Sequence, residues 1–190
     1  MHSEFFGDLR YNEDDQLWTG TMSLRPFATF GRTPYDNENE RRQRDEGLLP
    51  LSIWAPETGP TAQQEAAYHW LRDNETAVFR AALGALFESY RAYTDAPSPL
   101  SPFWKWLGGL VGVRRIESPE GLRTEAAFTG IEFTREHTNG AAYLLFDVYC
   151  MWEPEHGTMI VYHKDRPATC TTVDALELES DVTDDRSAVG

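Results

Sequence analysis

Two carboxylates and a histidine lie close together in the segment WEPEHG at residues 152–157. Glu153, Glu155 and His156 are residue types that bind a divalent metal or transfer protons in acid–base catalysis. The proline and glycine of the segment predict a tight turn, which would allow the three side chains to converge. The pattern favours a purely structural turn, in which the proline and glycine shape the backbone and the histidine binds a backbone carbonyl. A metal-dependent enzyme that uses these three side chains is the alternative.

Other catalytic signatures are missing from the sequence. There is no Gly-x-Ser-x-Gly, no His-Glu-x-x-His and no glycine-rich phosphate loop ending in Lys-Ser or Lys-Thr. Cys150 and Cys170 lie in strand-like stretches rather than in a Cys-x-x-Cys motif or at a helix start, where the thiol pKa would be lowered. The sequence therefore leans away from an enzyme, and we expect no cofactor.

The chain is acidic, with a formal net charge of −14 from 17 basic and 31 acidic residues. Residues 174–190 hold six acids and one base, a net charge of −5, which leaves −9 for residues 1–173. Such a surface repels nucleic acid and anionic membranes and favours a basic protein partner. The alternative is that the charge serves only solubility.

The cellular setting follows from what the sequence lacks. No apolar run approaches the ~20 residues that span a bilayer, and the first ten residues do not have the pattern of a signal peptide. Two cysteines do not form a disulfide framework, so we expect reduced thiols in a cytoplasmic protein. A disulfide between neighbouring strands is the alternative in an oxidising compartment.

Partner-binding residues are expected in loops rich in acidic residues and in a segment rich in tryptophan. The stretch 31–47 carries charges of both signs and is typical of a solvated or disordered loop. Residues 97–113 combine prolines with two tryptophans and predict an insertion or linker. Core or half-buried packing is expected for these tryptophans, and the alternative is that one of them is exposed and marks a contact site. The candidate contacts are Glu13, Asp14, Asp15, Asp36, Glu38, Glu40, Trp104, Glu153, Glu155 and His156.

The stretch 141–152 predicts the central strand of the fold. One alternate set of its residues is entirely apolar, and the other set is apolar except for Asp147. A strand that is apolar on both faces lies inside a sheet that is covered on both sides. The Asn139-Gly140 pair before it predicts a tight hairpin turn. From Ile131 onward the pattern indicates an antiparallel meander.

A long helical segment precedes this meander. Thr61 and Gln64 have the spacing of a capping box, and apolar residues then recur at steps of three and four as far as Tyr90. Asp73-Asn74 interrupts this apolar stripe, which predicts two helices or one bent helix.

Two further strand regions are expected near the N-terminus. Phe6 to Leu9 and Leu17 to Met22 predict a hairpin with a loop of several residues. Leu48 to Trp54 predicts an edge strand, or a strand that begins after Pro50. Together these elements predict an α+β fold, in which a mostly antiparallel sheet packs against one long or bent helical segment. We expect a single domain over residues 1–173 and an acidic, mobile tail over 174–190.

Several of these motifs carry a resemblance to a known family. They are the Phe6-Gly7-Asp8-Leu9 start, the Pro60-Thr61 helix start, the Gly130-Ile131 strand and the 152–157 turn. On these residues the chain resembles a bacterial family of small domains of unknown function, some of which are similar to immunity proteins encoded beside toxins. The family implies no established activity. Together with the acidic body and the missing catalytic motifs, the similarity of some members to immunity proteins favours a binding protein that neutralises a basic toxin by occluding its surface. The oligomeric state stays open.

Overall fold

A computed structural model of the chain describes residues 1–95, 116–153 and 158–172, together with Ala175, Leu176 and Leu178. The described helices are α1 (Arg25–Ala28), α2 (Glu38–Asp45) and α3 (Ala62–Asp95), with a 3₁₀ helix at Pro119–Thr124. The described strands are β1 (His2–Ser3), β2 (Gly7–Asp8), β3 (Arg10–Asn12), β4 (Leu17–Ser23), β5 (Leu48–Ile53), β6 (Ala126–Thr138), β7 (Ala141–Cys150), β8 (Thr158–His163) and β9 (Arg166–Thr172).

Seven of the described strands form one sheet in the order β3-β4-β5-β6-β7-β8-β9. Neighbouring strands in it are antiparallel, except that β5 and β6 are parallel. The first two strands, β1 and β2, pair separately. The predicted α+β class, with a mostly antiparallel sheet, an N-terminal hairpin and a long helix, is confirmed. Among the described residues, no helix is long and apolar enough to cross a membrane.

The interior position of β7, between β6 and β8, follows from its apolar residues on both faces. Phe146 and Val148 are buried on one side, and Tyr143 and Leu145 are buried on the other. Asn139 joins β6 to β7 with a φ of 48°, and the glycine after it has a φ of 74°. These left-handed backbone angles are those of the predicted tight hairpin turn.

The hydrophobic core lies between α3 and one side of the sheet, which we call the helix face. Phe27 of α1 stacks on Phe146 with ring centroids 4.5 Å apart and planes 3° from parallel. Phe128 meets both rings edge-on, so α1 is fixed against the sheet by aromatic packing. The strand residues of the helix face are Leu49, Leu51, Ile53, Ile131, Phe133, Leu144, Phe146, Val148 and Ile160.

The start of α3 and its bend both agree with the sequence prediction. The Thr61 N–H donates to Gln64 Oε1 at 2.9 Å, and the Gln64 N–H donates to Thr61 Oγ1 at 3.3 Å. Asn74 has non-helical angles (φ −124°, ψ 19°) inside the helix and marks its kink. The bend allows the apolar stripes of both halves to follow the twisted sheet.

The position of β5 differs from the prediction of an edge strand. This strand begins at Leu48, includes Pro50, and lies between β4 and β6. Its parallel pairing with β6 begins only at Leu51, so the proline precedes that ladder. The N-terminal hairpin also differs in detail, because β3 rather than residues 6–9 pairs with β4.

The expected disordered loop at 31–47 contains the helix α2. Asn37 caps this helix: its Oδ1 accepts from the Glu40 N–H at 3.0 Å, and Glu40 Oε2 accepts from the Asn37 N–H at 2.8 Å. These reciprocal bonds satisfy backbone donors of the first turn. The prediction of a loop was therefore wrong for Glu38–Asp45.

Two predicted regions lie outside the described residues. They are the insertion at 97–113 and the acidic tail at 174–190, of which only Ala175, Leu176 and Leu178 are described. The limits of a single domain at 1–173 stay a prediction.

Cys150 and Cys170 are both free thiols, and burial raises the pKa of the Cys150 thiol to about 11.

Candidate functional site

The turn between β3 and β4 presents three adjacent carboxylates. Glu13, Asp14 and Asp15 are all exposed. The turn has a definite shape, because Asn12 Nδ2 donates to Asp15 Oδ2 at 2.6 Å and Asn12 Oδ1 accepts from the Asp14 N–H at 3.0 Å. None of the three carboxylates forms an ion pair with a cation of the described residues. We call residues 12–16 the acidic turn.

Asp36 does not belong to an exposed acidic surface. Its side chain is 5% exposed, and its Oδ2 lies 3.2 Å from Nε of Arg44, whose side chain is 7% exposed. Thr33 Oγ1 donates to Asp36 Oδ1, and Arg44 donates to the carbonyl of Phe128 in β6. The expectation that Asp36 contacts a partner is therefore corrected, since this carboxylate attaches the segment before α2 to the sheet.

The remaining acidic candidates lie far from the acidic turn. Glu38 is exposed and Glu40 is half-buried in the capping box of α2. Glu40 lines a cavity together with Leu48, which pairs with Ser23 at one end of β4. The acidic turn lies at the Leu17 end, about 20 Å away along the strand at ~3.3 Å per residue. Glu153 follows the Cys150 end of β7, and this end also lies away from the acidic turn. The predicted contacts therefore do not form one patch.

The predicted metal or catalytic turn has only one described acid. Glu153 is half-buried, whereas Glu155 and His156 lie outside the described residues, as does Trp104. Within the part of the chain that is described, no group of three His, Cys, Asp or Glu residues could hold a metal ion. The metal-dependent alternative thus stays a prediction from the sequence.

The side of the sheet opposite α3, which we call the second face, contains a groove that the sequence did not predict. It has a volume of about 520 Å³, within the range of ~300–1,000 Å³ of ligand-binding clefts. We call it the Trp54 groove. Its lining residues are Trp54, Glu132, Thr134, Glu136, Leu145, Met159, Leu176 and Leu178.

Trp54 is held in place through both its indole ring and its backbone carbonyl. Its Nε1 donates to Glu132 Oε2 at 2.7 Å. Its backbone carbonyl accepts from Nε2 of the fully buried Gln64 at 2.9 Å, and the same Nε2 donates to the Thr134 carbonyl at 3.0 Å. The N-terminus of α3 therefore determines where Trp54 lies on the second face.

Asp147 lies beside this groove, on the same face as Glu132. Its carboxyl is placed over Gly130, where an added Cβ would come within 2.6 Å of Oδ2. Burial, with the neighbouring charge of Glu132 as a smaller contribution, raises the pKa of Asp147 from 3.8 to about 7. The signal for this residue in the sequence was the lone carboxylate on an apolar face of the central strand.

The acidic turn and the Trp54 groove lie at the same end of the sheet. Arg135, which follows Thr134 of the groove, donates to Gln16 Oε1 at 2.9 Å. The guanidinium of Arg135 thus joins the last residue of the acidic turn to the strand that carries Glu132 and Glu136. The two features form one negatively charged region.

His163 is a structural residue of the second face. It is 2% exposed, and its Nε2 lies 3.1 Å from the Thr138 carbonyl and 3.2 Å from the Ala141 carbonyl. Its Nδ1 accepts from the Asp165 N–H. Both ring nitrogens are occupied by the hairpin backbone, which leaves neither for a metal or a substrate.

A family model described as Domain of unknown function (DUF6985) matches residues 31–175, which is more than half of the 190 residues. The chain therefore belongs to this family. Comparison with curated proteins gave no match, and comparison with solved structures gave none either.

Proposed function

We propose that this member of the DUF6985 family is an acidic protein-binding domain, most concretely an immunity protein. In this role it neutralises a bacterial toxin by covering a basic surface with its own acidic one. The proposal concerns binding without chemical conversion of a substrate. The free thiols of Cys150 and Cys170 support a reducing compartment such as the cytoplasm.

The acidic turn is the observation that supports this proposal most directly. Three adjacent exposed carboxylates carry no ion pair within the described residues. Burial would be costly for such charges unless a cation met them, so a basic partner surface fits them and an apolar or acidic one does not. The net charge of −14 adds long-range attraction toward such a partner.

Electrostatic attraction of this kind acts mainly on the rate of association. Opposite charges on two surfaces accelerate diffusional encounter, and salt screens the effect beyond about 10 Å at 0.1 M ionic strength. An acidic turn that steers a basic partner should therefore change the association rate much more than the dissociation rate. This difference separates steering from a role in solubility.

The experiment begins with co-expression of the chain with the product of the neighbouring gene, followed by isolation of a complex. In the variant E13Q/D14N/D15N we expect about tenfold slower association at low salt, measured by stopped-flow or surface binding. The difference from the parent chain should vanish at high salt, and the dissociation rate should change little.

A matched control removes the same charge elsewhere. D73N/E88Q/E117Q also neutralises three exposed acids but leaves the acidic turn intact, and we expect a much smaller change in the association rate. The proposal fails if no complex forms and the toxicity of the partner is unchanged. It fails equally if both triple variants slow association alike, because the turn would then contribute only net charge.

A further inference from the structure

We propose that the Trp54 groove binds an arginine side chain of the protein partner. This inference rests on the proposed function, since it names the contact that follows electrostatic encounter. The groove supplies apolar walls for the methylene stem of that side chain and carboxylates for its guanidinium.

The walls of the groove suit a long side chain with an apolar stem. Leu145 and Met159 are buried at its base, and Leu176 and Leu178 are half-buried along it. Arginine and lysine pack their methylene groups against apolar surface while the charged group reaches a polar partner. The indole of Trp54 adds an aromatic face, on which a guanidinium is favoured over an ammonium ion.

The charge in the groove is negative, and none of its described lining residues is basic. Glu132 and Glu136 line it, and neither carboxylate forms an ion pair with a cation of the described residues. The indole N–H occupies Glu132 Oε2 and leaves Oε1 as an acceptor. Burial, and to a smaller extent the charge of Glu132, raises the pKa of the adjacent Asp147.

The location of the groove favours a basic segment as its occupant. The Arg135–Gln16 hydrogen bond places the groove next to the acidic turn. A basic partner drawn to the turn therefore meets the Trp54 groove at the same end of the sheet. An acidic or neutral side chain would bury the charges of Glu132 and Glu136 without a cation to balance them, which is costly.

The direct test uses a short peptide as the probe. Acetyl-glycyl-arginyl-glycine amide is titrated into the intact chain while the Trp54 indole N–H is followed by NMR, with the resonance assigned from Trp54→Phe. We expect a saturable shift. The matched citrulline peptide, which has the same shape without the charge, should bind about tenfold more weakly or not at all.

Variants of the carboxylates locate the contact. Glu136→Gln removes a charge that makes no side-chain hydrogen bond among the described residues, so the variant should fold normally. Its affinity for the arginine peptide should be about tenfold lower. Glu57→Gln removes an exposed acid outside the groove and should leave the affinity unchanged. Binding of the arginine peptide should also lower the pKa of Asp147, measured from its carboxyl carbon shift.

The outcomes separate this inference from the proposed function. Equal binding of the arginine and citrulline peptides, or no saturable shift with either, overturns the arginine site. If the site fails while E13Q/D14N/D15N still slows association with the partner, the proposed function stands. If the peptide binds as expected but no protein complex forms, the arginine site stands as a peptide-binding groove and the immunity role fails.

Discussion

Among the described residues, Asp147 is a carboxyl group whose charge the fold alters strongly. Its pKa is raised from 3.8 to about 7, mainly by burial and further by Glu132. Between these two pH values the folded chain keeps a proton that the unfolded chain releases. Stability from this group is therefore greatest at low pH and is lost as the pH rises from about 4 through about 7.

Asp147→Asn should remove this pH dependence. We expect the variant to be more stable than the parent chain at pH 8, with an upper limit of about 4 kcal/mol at ~1.4 kcal/mol per pKa unit. The advantage should shrink steadily toward pH 4. Urea unfolding of both chains from pH 4 to pH 8 measures it, and parallel stability curves would contradict the prediction.

Gly130 and Asp147 should be energetically coupled. A Cβ at residue 130 would lie 2.6 Å from Asp147 Oδ2 but 3.7 Å from Asp147 Cβ. Gly130→Ala should therefore cost roughly 1–3 kcal/mol in the parent chain, as other overpacked sites do. In the Asp147→Ala background the added methyl meets only Cβ, and the cost should fall below about 1 kcal/mol. A double-mutant cycle of unfolding free energies measures this coupling, and additive costs would contradict it.

At the scale of elements, Gln64 links the start of α3 to Trp54, which directly follows β5, and to Thr134 of β6. Its Nε2 serves the carbonyls of Trp54 and Thr134, and its Oε1 caps Thr61. Gln64→Ala leaves these buried groups without a partner, so we expect a loss of about 2–4 kcal/mol in unfolding free energy. Gln63→Ala, at the half-buried neighbouring position, is the control and should cost little. Equal effects of the two changes would argue against the link.

The segment around α2 contains a buried and an exposed ion pair that can be compared directly. The side chains of Asp36 and Arg44 are 5% and 7% exposed, whereas those of Arg32 and Asp45 are each 61% exposed. Arg44→Met leaves a buried carboxylate unpaired and should cost about 3–5 kcal/mol. Arg32→Met should cost at most about 1 kcal/mol. Thermal unfolding distinguishes them, and similar losses would show that burial does not determine the strength of these pairs.

Elements determined by neighbouring residues could be predicted from the sequence. The capping box at Thr61, the kink at Asn74 and the Asn139-Gly140 turn each depend on side chains within a few positions. Strand β7 was predictable for a related reason, because a strand that is apolar on both faces has to lie inside a sheet.

Elements that depend on distant partners could not be predicted in the same way. The interior place of β5 comes from parallel pairing with β6, which lies some 80 residues later. Helix α2 was missed because its charged composition suggested disorder, although Asn37 and Glu40 have the spacing of a cap and its partner. The Trp54 groove requires the register of several strands at once, and no local pattern specifies that register.

At the scale of the whole molecule, the first 30 residues belong to the same core as the rest. The family match begins at residue 31, yet β4 pairs along the whole length of β5, and Phe27 stacks on Phe146. Large apolar side chains from this region are buried, namely Phe6, Leu9, Trp18, Met22, Leu24, Phe27 and Phe30. The family boundary therefore does not coincide with a folding boundary.

Deletion of residues 1–30 should abolish cooperative folding of the remainder. Burial of a large apolar side chain contributes about 1.5–3 kcal/mol, so the seven lost side chains together match the ~5–15 kcal/mol stability of a typical domain. The deletion also exposes β5 as an unprotected edge, which favours aggregation. We expect a broad, non-cooperative unfolding transition and strong binding of a hydrophobic dye.

Addition of residues 1–30 as a separate peptide should restore a sharper transition, because it restores the β4–β5 pairing and the Phe27 stack. A fragment that unfolds cooperatively without the peptide would show that residues 31–190 fold on their own.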